Sequence, residues 1–310
     1  MKPEVPNGIW PTMVTPFTAS GSIDYDALEM LIEWYIAHGS DGLFAVCQSS
    51  EMFYLSLEER VALAKFVVEK ADGRLPVIAS GHISDRADDQ VEELGRIAST
   101  GVDAVVLVSN RLAAREEDDE VWKRNAEYIL ERVPEVQFGI YECPYPYKRL
   151  LSPELLRWCA DTGRFSFLKD TCCDVEQMRE KLEAVRGSRL KLFNANSSTL
   201  LESLKLGAAG FSGVMANFHL DLYAYLVKRW RTDPAIADAI QAFLGVVSLV
   251  ELQYYPVNAK YHLQLSGVPL QLRSRVSDET CFKPNQKLEI EQLQVLTSYV
   301  RERLKSNVSS

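Results

Sequence analysis

The sequence predicts an α/β chain: a closed (β/α)8 TIM barrel, residues 1–232, followed by a C-terminal helical appendage, residues 233–310. Three observations lead there. Eight short apolar runs recur before Met215, each followed by a polar turn and a stretch of helical period. The runs are continuous and rich in β-branched and aromatic residues, as strands buried on both faces should be. After Trp230 the strand pattern stops and only helical pattern continues. Eight alternations in about 230 residues favour a closed barrel over an open sheet.

The predicted strands are residues 9–16, 42–46, 76–80, 104–108, 136–141, 165–168, 190–193 and 210–215. Between them, residues 25–38 carry Leu28, Leu31, Ile32, Tyr35 and Ile36 at three- and four-residue spacing, with Gly39 as a stop. Ser56 followed by Glu59 is a capping box that opens a helix over 56–70. Ser152-Pro153 reads as N-cap and first turn of another. A short helix over 198–206 ends at Gly207. The acidic run at 116–120 is read as the solvated first turn of a helix, where negative charge suits the macrodipole. In the appendage, Asp233-Pro234 opens a helical stretch through Leu252. A segment around 258–265 and a last helix over 284–305 follow.

Composition narrows the function. The 310 residues are 47% hydrophobic and 25% charged, ordinary values for a globular chain. The longest uncharged, strongly apolar run is read as residues 242–250, short of a membrane span. The opening Met1-Lys2-Pro3-Glu4-Val5-Pro6 has no apolar signal region. A net charge of −9 without a basic tract argues against nucleic acid or anionic membrane as partner. The six cysteines, at 47, 143, 159, 172, 173 and 281, show no metal-ligand spacing. No metal is expected, and reduced thiols in the cytoplasm are.

A barrel places its chemistry at the C-terminal ends of its strands. There stand Thr15, then Cys47-Gln48-Ser49-Ser50-Glu51, Tyr141-Glu142-Cys143-Pro144, Lys169-Asp170-Thr171, Asn194-Ala195-Asn196 and Ser212-Gly213. Lys169 is the candidate nucleophile. An amine between apolar walls at a barrel mouth is desolvated, which disfavours its charged form and leaves it able to attack a ketone. Tyr141, ending the adjacent strand, could shuttle a proton. Ser49 and Ser50 offer hydroxyls and N–H groups suited to a carboxylate. His82 could face the mouth after strand three. Tyr145, Tyr147, Lys148 and Arg149 form a loop over the predicted pocket, suited to gripping a polyol or an aromatic group, or to a subunit contact.

In order and spacing these residues resemble the family of dihydrodipicolinate synthase and N-acetylneuraminate lyase, class I Schiff-base aldolases. Met13-Val14-Thr15-Pro16-Phe17 resembles its opening strand. Cys47-Gln48-Ser49-Ser50-Glu51 resembles its Gly-Thr-Thr-Gly-Glu loop. Tyr141 and Pro144 match its Tyr-x-x-Pro, and Leu168-Lys169-Asp170 the segment bearing the imine lysine. Gly207-Ala208-Ala209-Gly210, Asn217, Pro256 to Lys260 and Gly267 match later segments. The resemblance implies a 2-keto acid, usually pyruvate, bound as an imine to Lys169, with Tyr141 as proton shuttle. It implies that Gln48, Ser49 and Ser50 hold the keto-acid carboxylate, that Ser212, Asn196 and Arg149 join in binding, and that no cofactor is needed. A homotetramer is also implied.

The departures matter equally. The family's paired threonines become Gln48-Ser49 and the next glycine becomes Ser50. The second tyrosine of the synthase proton relay falls at Leu112, the synthase's carboxylate-clamping arginine at Pro146, and a strand-seven glycine at Ala195. Leucine cannot carry a proton and proline cannot clamp a carboxylate. The synthase reaction of lysine biosynthesis is therefore not the expectation, although Arg111 or Arg149 could replace the clamp in space. The expected function is an imine-forming lyase that cleaves, condenses or dehydrates a keto sugar acid. A retired barrel that only binds a keto acid is the alternative.

Overall fold

The computed structural model describes residues 4–134 and 136–308; Met1, Lys2 and Pro3, the start of the segment read for a signal, lie outside them. Eight strands form one parallel sheet in the order β1-β8-β7-β6-β5-β4-β3-β2. They are β1 Gly8–Ile9, β2 Leu43–Phe44, β3 Val77–Ala79, β4 Ala104–Val108, β5 Gln137–Tyr141, β6 Phe165–Asp170, β7 Lys191–Asn194 and β8 Gly210–Phe211. A parallel bridge between Thr12 and Phe44 joins the two end strands and closes the ring. Around it run α1 Tyr25–Ala37, α2 Leu57–Ala71, α3 Ala87–Ala98, α4 Asp119–Arg132, α5 Pro153–Asp161, α6 Val175–Ala184, α7 Leu200–Leu206 and α8 Ala216–Arg229.

Several helices begin where side chains satisfy their first N–H groups. Ser56 accepts from Glu59 N while Glu59 reaches back, and Ser152 accepts from Leu155 N ahead of Pro153. Asp118 caps α4, so the acidic run straddles its start, and Glu117 accepts from Ala114 N instead. The outer strands are shorter than the apolar runs that predict them. In the first, Pro11 and Pro16 have no N–H for a ladder. In the eighth, the chain turns at Ser212-Gly213 toward α8. Close approach is the reason for glycine at 210: a Cβ there would sit 1.9 Å from the Gly8 carbonyl oxygen.

Strand alternation sorts the side chains. On β6, Phe167 and Lys169 point into the barrel and Asp170 points out. On β5, Tyr141 points in and Glu142 out. Trp10, Phe44, Phe167 and Phe193 pack as an aromatic plug, with ring centroids 4.5 to 6.1 Å apart, and Phe44 meets Tyr141 edge-on at 5.9 Å. The plug is the floor beneath Tyr141 and Lys169. On the outside, Lys181 of α6 reaches both outward carboxylates, Glu142 at 2.7 Å and Asp170 at 2.6 Å, all three buried. Glu142 also accepts from Leu151 N and Thr171 N. Burial works against the charge of Lys181, but the two carboxylates outweigh it and its pKa stands above the ordinary lysine value.

The appendage comprises α9 Pro234–Val247, a 3-10 turn Ser248–Leu252, α10 Val257–Leu265 and α11 Pro284–Val308. Pro234–Leu252 is long and apolar enough, by length and composition, to cross a membrane, which the reading of residues 242–250 does not anticipate. Its Ala237, Ile240 and Leu244 are buried against α7 and α8. A buried ion pair, Lys260 to Glu51 at 2.7 Å, fastens α10 to the loop after β2. Glu51 also accepts from Ser274 Oγ and Val276 N. Breaking such a pair on one side typically costs about 3–5 kcal/mol.

Candidate active site

A cavity of about 470 Å3 opens at the C-terminal ends of the strands. One wall is set by the β5–β6 ladder, where Tyr141 and Lys169 are register partners. The Lys169 ammonium nitrogen lies 4.3 Å from the centre of the Tyr141 ring, and both residues are 3% exposed. Among the described residues Lys169 makes no salt bridge. Burial lowers its pKa below the ordinary lysine value, against the smaller opposing pulls of Cys47, Cys143 and Glu251. Burial likewise holds the Tyr141 phenol well above its ordinary value, so it is a neutral proton donor. Its hydroxyl donates to Gln48 Oε1 at 3.2 Å. Cys47 and Cys143 are also raised by burial, Cys143 to about 11, which keeps them as neutral thiols.

Of the residues singled out from sequence, Lys169, Tyr141, Gln48, Ser49 and Asn196 line this cavity together. Gln48 and Ser49 stand on a 3-10 turn, Gln48–Ser50, that follows β2. Ser49 Oγ donates to Thr12 Oγ1 at 3.1 Å. Asn196 is largely committed to its own loop: its Oδ1 accepts from Ser198 Oγ, Thr199 N and Thr199 Oγ1.

Three expected binding residues are elsewhere. Ser50 is turned inward: its Oγ accepts from Cys47 N, and both Oγ and N donate to Cys47 O. A side chain at this position finds satisfied backbone groups beneath it and leaves the pocket to Ser49. Ser212 points between strands and donates to Trp10 O at 2.9 Å, while its neighbour Gly213 lines the cavity. Arg149 runs away from the pocket. Its guanidinium donates to the carbonyls of Ala114, Glu117 and Asp118 and to Asp119 Oδ1, because the loop before α4 exposes carbonyls that only a fork of donors can satisfy. Arg111 does not replace the clamp either; it pairs with Asp85 at 2.9 Å and stands over Phe53. His82 is fully buried, accepting from Val108 N through Nε2, and does not line the cavity.

Two lining residues, Glu251 and Tyr255, carry groups that the sequence reading did not assign, and Lys148, expected in the loop over the pocket, joins them. Lys148 projects from the loop after β5, its Nζ held by Thr171 O at 2.7 Å. Glu251 and Tyr255 come from the appendage, after the last strand. Burial raises the Glu251 carboxyl to about 7, against the pull of Lys169. Tyr255 accepts from Asn217 Nδ2 at 3.3 Å. The one signal in sequence was the resemblance at Pro256 to Lys260, which places this segment beside the barrel mouth. Nothing in the spacing marks Glu251.

The model of the dihydrodipicolinate synthetase family matches residues 5–302. A curated 4-hydroxy-tetrahydrodipicolinate synthase of Thioalkalivibrio sulfidiphilus (strain HL-EbGR7) is 27% identical over 264 residues, 84% of this chain and 88% of that protein. The putative 2-dehydro-3-deoxy-D-gluconate aldolase YagE of Escherichia coli (strain K12) is 28% identical over 270 residues, 85% of this chain and 88% of its own length. The crystal structure of YagE in complex with pyruvate superposes with a TM-score of 0.86 at 24% identity, covering 94% of this chain and 98% of that one. With nearly its whole length matched, the protein belongs to the dihydrodipicolinate synthetase family and is a Schiff-base-forming lyase.

Proposed function

We propose that Lys169 forms the imine, with a pyruvate-type 2-keto acid, and that the enzyme cleaves, condenses or dehydrates a keto sugar acid. The observation that carries this reading is the buried Lys169 amine in the cavity, without a salt bridge among the described residues and 4.3 Å from the centre of the Tyr141 ring. Its depressed basicity supplies the free amine that attacks the C2 carbonyl, and the neutral Tyr141 gives the proton that leaves with the carbonyl oxygen as water. In cleavage the C3–C4 electron pair flows into the iminium, giving an enamine, while the C4 hydroxyl returns a proton to the Tyr141 phenolate and C4 leaves with its oxygen as an aldehyde. The enamine then takes a proton at C3, and water releases the keto acid. Gln48 and Ser49 are the groups nearest Tyr141 for the keto-acid carboxylate.

The absence of Arg149 and Arg111 from the cavity supports a substrate other than that of the synthase relatives. A homotetramer is in keeping with the exposed Val246 and Leu249 of the α9 segment, and the free cysteines with a reducing cytoplasm. The test is borohydride trapping with pyruvate and peptide mass mapping. The expected result is one reduced pyruvyl group on Lys169, and with Lys169→Ala no label and turnover lower by several orders of magnitude. Label on Lys260 alone, or none on the unaltered protein, would falsify the reading. Label without turnover of any keto or sugar acid would leave the binding-only barrel.

A further inference from the structure

Two carboxylates line the cavity, and they differ in what occupies them. Glu51 is consumed by Lys260, Ser274 and the backbone of residues 275 and 276. Glu251, among the described residues, has no hydrogen-bond partner and no salt bridge. It faces Lys169, Tyr223 and Tyr255 electrostatically, with Lys148 and Tyr141 elsewhere around the same cavity. The segment that carries it is pinned on both sides. Val250 O accepts from the buried Asn258 Nδ2 at 2.7 Å, and Tyr255 is held by Asn217. A carboxylate fixed by its backbone, with no protein group on its oxygens among the described residues, is a ready acceptor for whatever hydroxyl enters the cavity beyond the imine.

Resting on the imine reading, we infer that Glu251 is a specificity-determining residue: it accepts hydrogen bonds from the hydroxyl groups of the acceptor portion of the substrate and selects neutral hydroxyaldehydes over anionic ones. A second carboxylate brought beside it would meet like charge in a half-buried site and would have no hydrogen to donate. Lys148, a second lysine at the cavity, donates to Thr171 O, so it offers an anionic end only part of its donors. Tyr141, Tyr223 and Tyr255 are held neutral by burial, as are Cys47 and Cys143. In the imine Lys169 is a fixed positive charge. Glu251, raised by burial to about 7 against the pull of Lys169, changes its charge near neutrality.

The experiment compares condensation of pyruvate with glyceraldehyde and with succinic semialdehyde, in the unaltered protein and in Glu251→Gln. The readout is the ratio of the two kcat/KM values, in which losses of folded protein or of imine formation cancel. At pH 8 the unaltered protein should favour glyceraldehyde, and Glu251→Gln should shrink that ratio about tenfold, the size expected on losing one charge-assisted hydrogen bond and one repulsion. Lowering the pH from 8 to 6 should shrink the ratio in the unaltered protein and leave it flat in the variant. An unchanged ratio in Glu251→Gln overturns the assignment, and so does condensation with neither aldehyde by a protein that traps pyruvate at Lys169. Failure of trapping in the unaltered protein overturns the imine reading and this inference together.

Discussion

The two halves of the barrel are built differently. On β4 to β7 the strands run 5, 5, 6 and 4 residues, and ladder hydrogen bonds hold them. On β8, β1, β2 and β3 they run 2, 2, 2 and 3 residues. There side chains add stitches to a short run of backbone bonds. Asp41 accepts from Ile9 N at 2.9 Å, Asp103 from Val77 N at 2.8 Å, Thr15 donates to Ser50 O at 2.8 Å and Asn217 to Thr12 O at 2.9 Å. The proposed reacting pair, Tyr141 and Lys169, stands on the laddered half, where period-two alternation fixes direction. The groups facing it, Gln48, Ser49 and Gly213, stand on turns of the stitched half. The departures from the family pattern, Gln48, Ser50, Leu112, Pro146 and Ala195, all fall on turns and loops. On the proposed reading, chemistry sits on strand ends where backbone pairing dictates geometry, and substrate recognition on the turns beyond them, where side chains can be exchanged.

The sharpest way to break this contrast is at Tyr141. Tyr141→Phe keeps the ring that packs against Phe44 and Lys169 but removes the hydroxyl that donates to Gln48. Turnover should fall about 10²–10⁴-fold with the thermal midpoint held. Trapping at Lys169 should be slower yet reach completion. Full turnover in this variant would make Tyr141 a packing residue and move the proton carrier elsewhere in the cavity.

The next test strikes the outside of the same half. Lys181→Met leaves Glu142 and Asp170 buried without their cation, one residue beyond Tyr141 and Lys169 respectively. Denaturant unfolding should show a loss of about 3–5 kcal/mol. A smaller cost would mean that the ladder holds the strand ends without the lock.

Much of this architecture was legible in the sequence. Helix starts could be read because caps are local: Ser56 with Glu59, and Ser152 with Pro153, satisfy N–H groups within four residues. Lys169 and Tyr141 could be read because each ends a continuous apolar run, and a strand's end in a barrel is a place in space. The short strands were overextended because apolar character continues past the strand ends, as at Met13 and Val14, which are buried without being strand. Arg149 was misplaced because sequence gives a side chain's position but not its direction, and unsatisfied carbonyls at 114, 117 and 118 drew it away. Glu251 lies 82 positions beyond Lys169 in the chain. Only tertiary packing of the appendage brings the two to one cavity.

The seam between the halves gives a pH test. His82, after β3, accepts from Val108 N at the end of β4, and burial lowers its pKa to about 3. The ring is neutral when folded, whereas an unfolded histidine titrates near 6.5. Above 6.5 both states are neutral and the full stability is present. As pH falls toward 3 the unfolded chain binds the proton first, and stability is lost. His219 and His262, also lowered by burial, act with the same sign. Between pH 7.5 and 5 the loss assignable to His82 should be about 2 kcal/mol, read as the difference in pH slope between the unaltered protein and His82→Gln. Equal slopes would mean that the ring is not held neutral at the seam.

The smallest effect makes the cleanest comparison, because it uses one chemical change in each half. Ser212 donates to Trp10 O at 2.9 Å, joining the stitched strands β8 and β1, and is fully buried. Ser166 reaches Phe138 O at 3.4 Å on the laddered pair β5 and β6. Alanine at 212 leaves the Trp10 carbonyl short of a partner where only two ladder residues stand on each strand. That should cost about 1–2 kcal/mol. Alanine at 166 removes a long, weak contact from strands already paired along four register positions, and should cost less than about 0.5 kcal/mol. Urea midpoints of the two variants, measured side by side with unchanged slopes, decide the matter. Equal costs would show that the short strands do not depend on their side-chain stitches. A larger cost at 166 would reverse the contrast, placing the fragile pairing in the half that carries Lys169.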